Sequence, residues 1–151
     1  MGPQSRAARY RRAGTFRGAA YTRNLMYEAQ IVTAFRAAHA VTIAGRPEES
    51  HVHEWTVRVV VEAHALDADG LVVDFHRLQS DLAAVLAPWQ GADLNQAAEF
   101  VGRNPSAEAV AESIARALQG RLGSAVAVRS VQVTEAPGCA ARFVCSAGAI
   151  R

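Results

Sequence analysis

An α+β fold, a four-stranded antiparallel sheet carrying two helices on one face, is what the sequence predicts, and three observations lead there. Two long segments early in the chain and two shorter ones near its end alternate apolar and polar residues with period two, as half-buried strands do. The two segments between them repeat apolar residues every three to four positions, as amphipathic helices do. The order is strand–strand–helix–helix–strand–strand, and strands grouped apart from helices favour stacked layers over alternating parallel units.

The first strand is expected from Leu25 to about His39, with Leu25, Tyr27, Ala29, Ile31 and Phe35 alternating against Glu28, Gln30 and Arg36. A polar loop spans Gly45 to Ser50. The second strand runs from about His51 to His64, with Trp55, Val57, Val59 and Val61 on one face and Glu54, Thr56, Arg58 and Glu62 mostly on the other. After a turn at Asp67–Gly70, Asp74 can cap a helix whose stripe is Phe75, Leu78, Leu82, Val85 and Leu86, ended by Pro88. An irregular stretch, Trp89 to Arg103, follows. Asn104 is then the expected cap of a second helix with Pro105 at its first position and Ala107, Val110, Ala111, Ile114, Ala117 and Leu118 facing inward. Two strands, Val126–Glu135 and Ala140–Cys145, close the order around a Pro137-Gly138 turn.

A chain of 151 residues, half hydrophobic and a fifth charged, is long enough for one sizeable core and unlike disordered, collagenous or disulfide-scaffold sequences. No apolar run approaches the roughly 18 residues of a membrane helix. The net charge of +2 is unevenly shared. Residues 1–23 hold six arginines and no acid, whereas residues 24–151 hold ten arginines and fourteen acids. The first segment reads as a flexible arginine-rich arm and the second as a single domain. Such an arm suits a solvated leader, an organelle-targeting peptide or contact with anionic surfaces. No nucleic-acid-binding motif accompanies it, so no nucleic-acid or membrane partner is expected. All sixteen basic residues are arginine, which excludes Schiff-base chemistry on a lysine. Cys139 and Cys145 lie six residues apart in one expected strand, roughly 20 Å, and so should be free thiols suited to a reducing cytoplasm.

The chemistry concentrates in three histidines. His51 and His53 project from one face of the second strand with Cβ atoms about 7 Å apart, and His39 reaches the same point if the first two strands form a hairpin. Three imidazoles with a fourth position open are a catalytic zinc site. His-x-His also describes solvent-facing strand histidines, and His64 and His76 read as surface or cap residues.

Phe35-Arg36-Ala37-Ala38-His39 resembles the Phe-x-Ala-Ala-His of the 6-pyruvoyl-tetrahydropterin synthase and 6-carboxy-tetrahydropterin synthase family. His51-Val52-His53 is similar to the family's His-Gly-His, and Gly70-Leu71-Val72-Val73-Asp74-Phe75 to its Gly-x-Val-x-Asp-Phe. Leu94-Asn95, Asn104-Pro105-Ser106-Ala107-Glu108 and Val131-Gln132-Val133-Thr134-Glu135 match later landmarks in order. The resemblance implies Zn2+ on His39, His51 and His53, and the family's tunnelling fold. It also implies a trimeric barrel or a hexamer with active sites between subunits, and Glu135 anchoring a pterin ring. A glutamate can accept two parallel N–H bonds from an aminopyrimidinone.

The departures from the family fall on proton transfer. Pro47 stands where the family carries a catalytic cysteine, and Trp89-Gln90-Gly91 stands where it carries Leu-Asp-His. None of these residues can act as a general base. The candidate replacements are Glu48 and Glu49, which follow the lost cysteine, and Asp93. A subgroup of the family uses glutamate in place of this cysteine for an aldolase-like cleavage. Trp55 and Trp89 either reshape the pocket or belong to the core, and Ala136 replaces a frequent threonine. The expected function is therefore a zinc-dependent lyase or cyclase acting on a pterin or another small oxygenated metabolite. The alternative is a non-catalytic zinc-containing binding protein of the same fold.

Overall fold

The computed structural model describes residues 26–146. The arm at 1–23 and the expected strand start at Leu25 lie outside the described residues. Strand β1 (Tyr27–His39) pairs antiparallel with β4 (His51–Ala63) along its whole length, from Tyr27 opposite Ala63 to His39 opposite His51. Strand β5 (Ala127–Ala136) pairs with β4, and β6 (Cys139–Val144) with β5, so the four-stranded sheet has the order β1-β4-β5-β6. Pro137 and Gly138 form the β5–β6 turn, with Gly138 at the positive φ that such a turn requires.

Alternation is what places the core. Ile31, Phe35 and Ala37 of β1, Trp55, Val57, Val59 and Val61 of β4, and Val131 and Val133 of β5 are buried on one face. Full burial of each larger side chain contributes roughly 1.5–3 kcal/mol. The alternation breaks at a bulge: Val60 pairs with Ser130 but Val61 with Val128, leaving Arg129 as the extra residue. Its guanidinium lies 3.4 Å from Glu62, which is only 8% exposed, so a carboxylate expected on the polar face is buried against a cation.

Helix α1 (Phe75–Leu86) packs on β1 and on helix α2 (Ala107–Gln119), which covers β5 and β6. Asp74 caps α1 as expected, accepting from the His76 N–H at 2.8 Å. Phe75, at the first helical position, is 50% exposed and does not join the core stripe. Asn104 does not cap α2. Ser106 does, accepting from the Ala109 N–H, and the helix begins two residues later than the sequence suggested. Ala115 and Ser113 are buried, whereas Ala117 faces outward.

Between β1 and β4 the chain forms a small hairpin, β2 (Thr42–Ile43) with β3 (Arg46–Pro47), whose second strand falls in the expected loop at 45–50. Ala44 (φ 49°) and Gly45 (φ 77°) both take the left-handed conformation that a tight two-residue hairpin turn needs. Two-residue strands have no alternation to read, which is why sequence periodicity missed them.

The irregular stretch 87–104 covers the outer edge of β1. Arg36 N–H donates to Gln90 Oε1 and its carbonyl accepts from Gly91 N–H, while Ala38 N–H donates to the Ala92 carbonyl. Beyond the strand, the carboxamide of Asn95 bonds both N–H and C=O of Ala40, and that of Asn104 does the same at Thr42. Arg103 straps the stretch to α2 through Glu112 at 3.1 Å and Ser113 at 2.7 Å.

Hydrogen bonds from Arg116 and Arg103 hold the Glu112 carboxyl below its ordinary value of 4.5. A depressed acid stabilises the fold above its unfolded pKa and loses that contribution as pH falls through the folded one. Glu112→Gln is therefore expected to cost up to about 1 kcal/mol near neutrality, with the gap to the parent closing below pH ~4.5; denaturant melts across pH 3–7 measure it. Both cysteines are free, Cys139 exposed and Cys145 buried, and burial pushes the Cys145 thiol up. Under native conditions a thiol reagent should label Cys139 promptly and Cys145 only upon unfolding, as read by mass spectrometry of peptides.

Candidate metal centre and adjoining cleft

The pairing of His39 with His51 closes the hairpin at the point where His53, two residues on, shares the same face. The three rings lie 4.6–5.2 Å apart, centroid to centroid, and one ring nitrogen from each falls within 4.8 Å of the others. Among the described residues this is the group of histidine, cysteine or acidic side chains so gathered. His39 is buried, His53 half-buried and His51 exposed, so the cluster opens from core to surface. Trp55 forms its floor, 4.6 Å from the His39 ring and 5.8 Å from that of His53, and its Nε1–H donates to the Ala37 carbonyl. Trp89 is also buried, against Phe35 and Phe100. Both tryptophans are core.

The tautomers follow from the partners. Nδ1 of His39 lies 2.9 Å from the Pro105 carbonyl, and Nδ1 of His51 lies 2.8 Å from the Glu49 carbonyl. A carbonyl can only accept, so each Nδ1 carries a proton, and in the neutral ring Nε2 then presents the lone pair. Nε2 of His39 and Nε2 of His53 are buried without a hydrogen-bond partner among the described residues. Such orphaned atoms normally cost about 1–3 kcal/mol each. Neutral imidazoles oriented through Nδ1 by main-chain carbonyls are the arrangement that metal-binding histidines adopt, so the residues fit a metal ion. Burial lowers the His53 pKa, opposed by Glu135 and reinforced by His39 and His51, which keeps a lone pair available.

A cleft of about 430 Å³ adjoins the cluster, lined by Val52, His53, Glu54, Thr56, Thr134, Glu135, Ala136 and Pro137. Glu135 sits where β5 leaves its regular pairing with β6, and its Oε1 lies 3.8 Å from His53 Nε2. Glu48 and Glu49 are exposed at the hairpin's exit and make no ion pair among the described residues; their main chain is tied, Glu48 N–H to Val41 and the Glu49 carbonyl to His51. The carboxylate of Asp93 accepts from the Asn95 N–H, in a bridge beside Ala38. The structure thus brings Glu135 to the histidines, engages the Asp93 carboxylate in a local turn and leaves the Glu48 and Glu49 side chains exposed. His64 and His76 are exposed and stand apart.

Sequence reading missed Glu54, Thr56 and Thr134 as cleft walls, because polar residues on an alternating strand carry no sign of what they face. It also missed the two asparagine clasps, although both asparagines stood out in the landmarks.

A four-stranded antiparallel sheet backed by two helices, with three histidines at the head of its first long hairpin, defines a small class of folds. The chain belongs to the 6-pyruvoyl tetrahydropterin synthase family, whose model matches residues 28–145. It is similar to the Caenorhabditis elegans 6-pyruvoyl tetrahydropterin synthase, with a TM-score of 0.68 and 19% identity over 81% of this chain and 97% of that one. The Plasmodium vivax 6-pyruvoyltetrahydropterin synthase superposes with a TM-score of 0.65 and 16% identity over 79% and 97% of the two chains. An uncharacterized Wolinella succinogenes protein, WS1659, does so with 0.63 and 17% over 80% and 98%. Comparison with curated proteins finds no significant match.

Removal of one imidazole should abolish tight metal binding. His51→Ala, on the exposed side of the cluster, is expected to lower affinity by at least ~100-fold with the fold intact, since it removes a ligand outright. Metal content after dialysis, beside circular dichroism, checks it; full retention of metal would show that the trio is not the site.

Proposed function

We propose that the protein is a zinc-dependent lyase or cyclase of the 6-pyruvoyl- or 6-carboxy-tetrahydropterin synthase type, acting on a pterin or a related small oxygenated metabolite. The observation that carries this reading is the contiguity of the three histidine nitrogens with a cleft walled by Glu135. His39, His51 and His53 would hold the ion, an all-nitrogen set that suits zinc and leaves a position open. When bound, zinc supplies a Lewis acid that polarises a substrate carbonyl or hydroxyl.

The remaining chemistry belongs to the chain. Glu135, an acceptor-only carboxylate, receives two parallel N–H donors from an aminopyrimidinone edge and so orients the ring. A carboxylate of the loop leading into β4, Glu48 or Glu49, takes a proton from the carbon beside the polarised carbonyl and returns it; Asp93 is the third candidate. This work calls for burial of the carboxylate away from water. Bound substrate and a neighbouring subunit would provide that burial, in the trimer or hexamer to which the family resemblance points. The Plasmodium vivax synthase, in which a glutamate is named as a catalytic residue, supports a carboxylate in this role. Pro47 and Ala136, in place of the family's cysteine and frequent threonine, favour a substrate that differs from the usual pterin triphosphate.

A second reading, a metal-holding scaffold without turnover, is favoured by one observation: Gln90 and Gly91 stand where the family's aspartate and histidine assist catalysis, and both are engaged on the main chain of Arg36. One experiment separates the two. The zinc-loaded protein is incubated with dihydroneopterin triphosphate and related pterins, beside the Glu48→Gln/Glu49→Gln double variant. Turnover that falls by about 10²–10⁴-fold in the variant, with zinc content unchanged, supports the lyase and its loop base. Undiminished turnover removes the loop glutamates from the mechanism, and no turnover by the parent with any pterin favours the scaffold.

A further inference from the structure

The carbonyls that set the two histidine tautomers are held by different means. The acceptor for His51 is Glu49, two residues away and supplied by the same turn. The acceptor for His39 is Pro105, 66 residues away, so no local geometry keeps it in place. What does so is the residue before it. The Asn104 carboxamide accepts from Thr42 N–H at 2.9 Å and donates to the Thr42 carbonyl at 2.9 Å. Thr42 lies three residues past His39 on the same run of chain. A planar two-point clasp fixes orientation as well as distance, and the Pro105 ring removes the φ freedom that would otherwise intervene. Pro105 is buried while Asn104 is exposed, so the asparagine has no part in the core.

We propose that Asn104 is a positioning residue for the metal centre, holding the Pro105 carbonyl against Nδ1 of His39 so that Nε2 faces the ion. The proposal rests on the reading of His39, His51 and His53 as metal ligands. The side chain suits the task for a definite reason: aspartate lacks the donor to the Thr42 carbonyl, and glutamine is one methylene too long for the same fit. Asn95 provides a stringent comparator, since it makes the same pair of bonds at 2.8 Å each to Ala40, next to His39, yet forms no hydrogen bond to a histidine ring or to Pro105.

The test uses the full chain and three variants: Asn104→Ala, Asn104→Asp as a milder change should the alanine fail to fold, and Asn95→Ala. Zn2+ affinity is measured by chelator competition, and the His39 tautomer in the metal-free protein by long-range proton–nitrogen correlation. Expected are a Zn2+ affinity about 10- to 100-fold weaker in the Asn104 variants, a His39 ring no longer held in the Nδ1–H form, and near-parental values for both in Asn95→Ala. Parental affinity and tautomer in the Asn104 variants would overturn the proposal. So would equal losses in Asn95→Ala, which would mark a general effect of loosening the strand edge. If the parent chain itself binds no Zn2+, the metal reading fails while the tautomer measurement still decides what Asn104 does.

Discussion

The outer edge of β1 is the constraint on which the rest depends. A strand at the end of a sheet exposes a row of unpaired N–H and C=O groups, and here that row continues past the strand to Thr42. The chain answers with residues 90–104, which form no strand and only two short 3-10 turns, Leu94–Gln96 and Ala98–Phe100, yet satisfy the edge in sequence: Gln90 and Gly91 at Arg36, Ala92 at Ala38, Asn95 at Ala40 and Asn104 at Thr42. Two asparagine carboxamides act as stand-in peptide groups. The irregular stretch is therefore as tightly specified as a strand, and its last residues deliver a carbonyl to the histidine at the strand's end.

The candidate centre inherits its character from that arrangement and from the sheet. His39 is buried at the hairpin head, over the edge of Trp55, while His51 is exposed and His53 borders the cleft. Main-chain carbonyls rather than carboxylates orient two of the rings, so the centre has little negative charge beneath it. Glu135, whose Oε1 lies 3.8 Å from His53 Nε2, is the acid that the fold brings to the rings, and it lines the cleft beside them.

Gln90, Gly91 and Pro47 have structural work in the fold. Gln90 satisfies the Arg36 N–H with its side chain, and Gly91 takes a φ of 75°, a conformation that costs a residue with a side chain more than it costs glycine. Pro47 ends the two-residue strand from which Glu48 and Glu49 depart. Gln90 and Gly91 thus help to keep the edge of β1 satisfied beside the histidines.

Periodicity determined the four long strands, the two helices and their order, because alternation and the 3.6-residue repeat record which side of each element is buried. Spacing alone put His51 and His53 on one face, and the ordered landmarks brought His39 and Glu135 to attention. Only the tertiary structure decided that Glu62 is buried with Arg129, since a bulge breaks the period on which sequence reading relies. It also decided that Ser106 caps α2, which frees Asn104 to clasp a strand 62 residues earlier. The physical reason is common to both: a polar contact between residues far apart in sequence leaves no periodic trace, and its partners become known only when the chain has folded back upon itself.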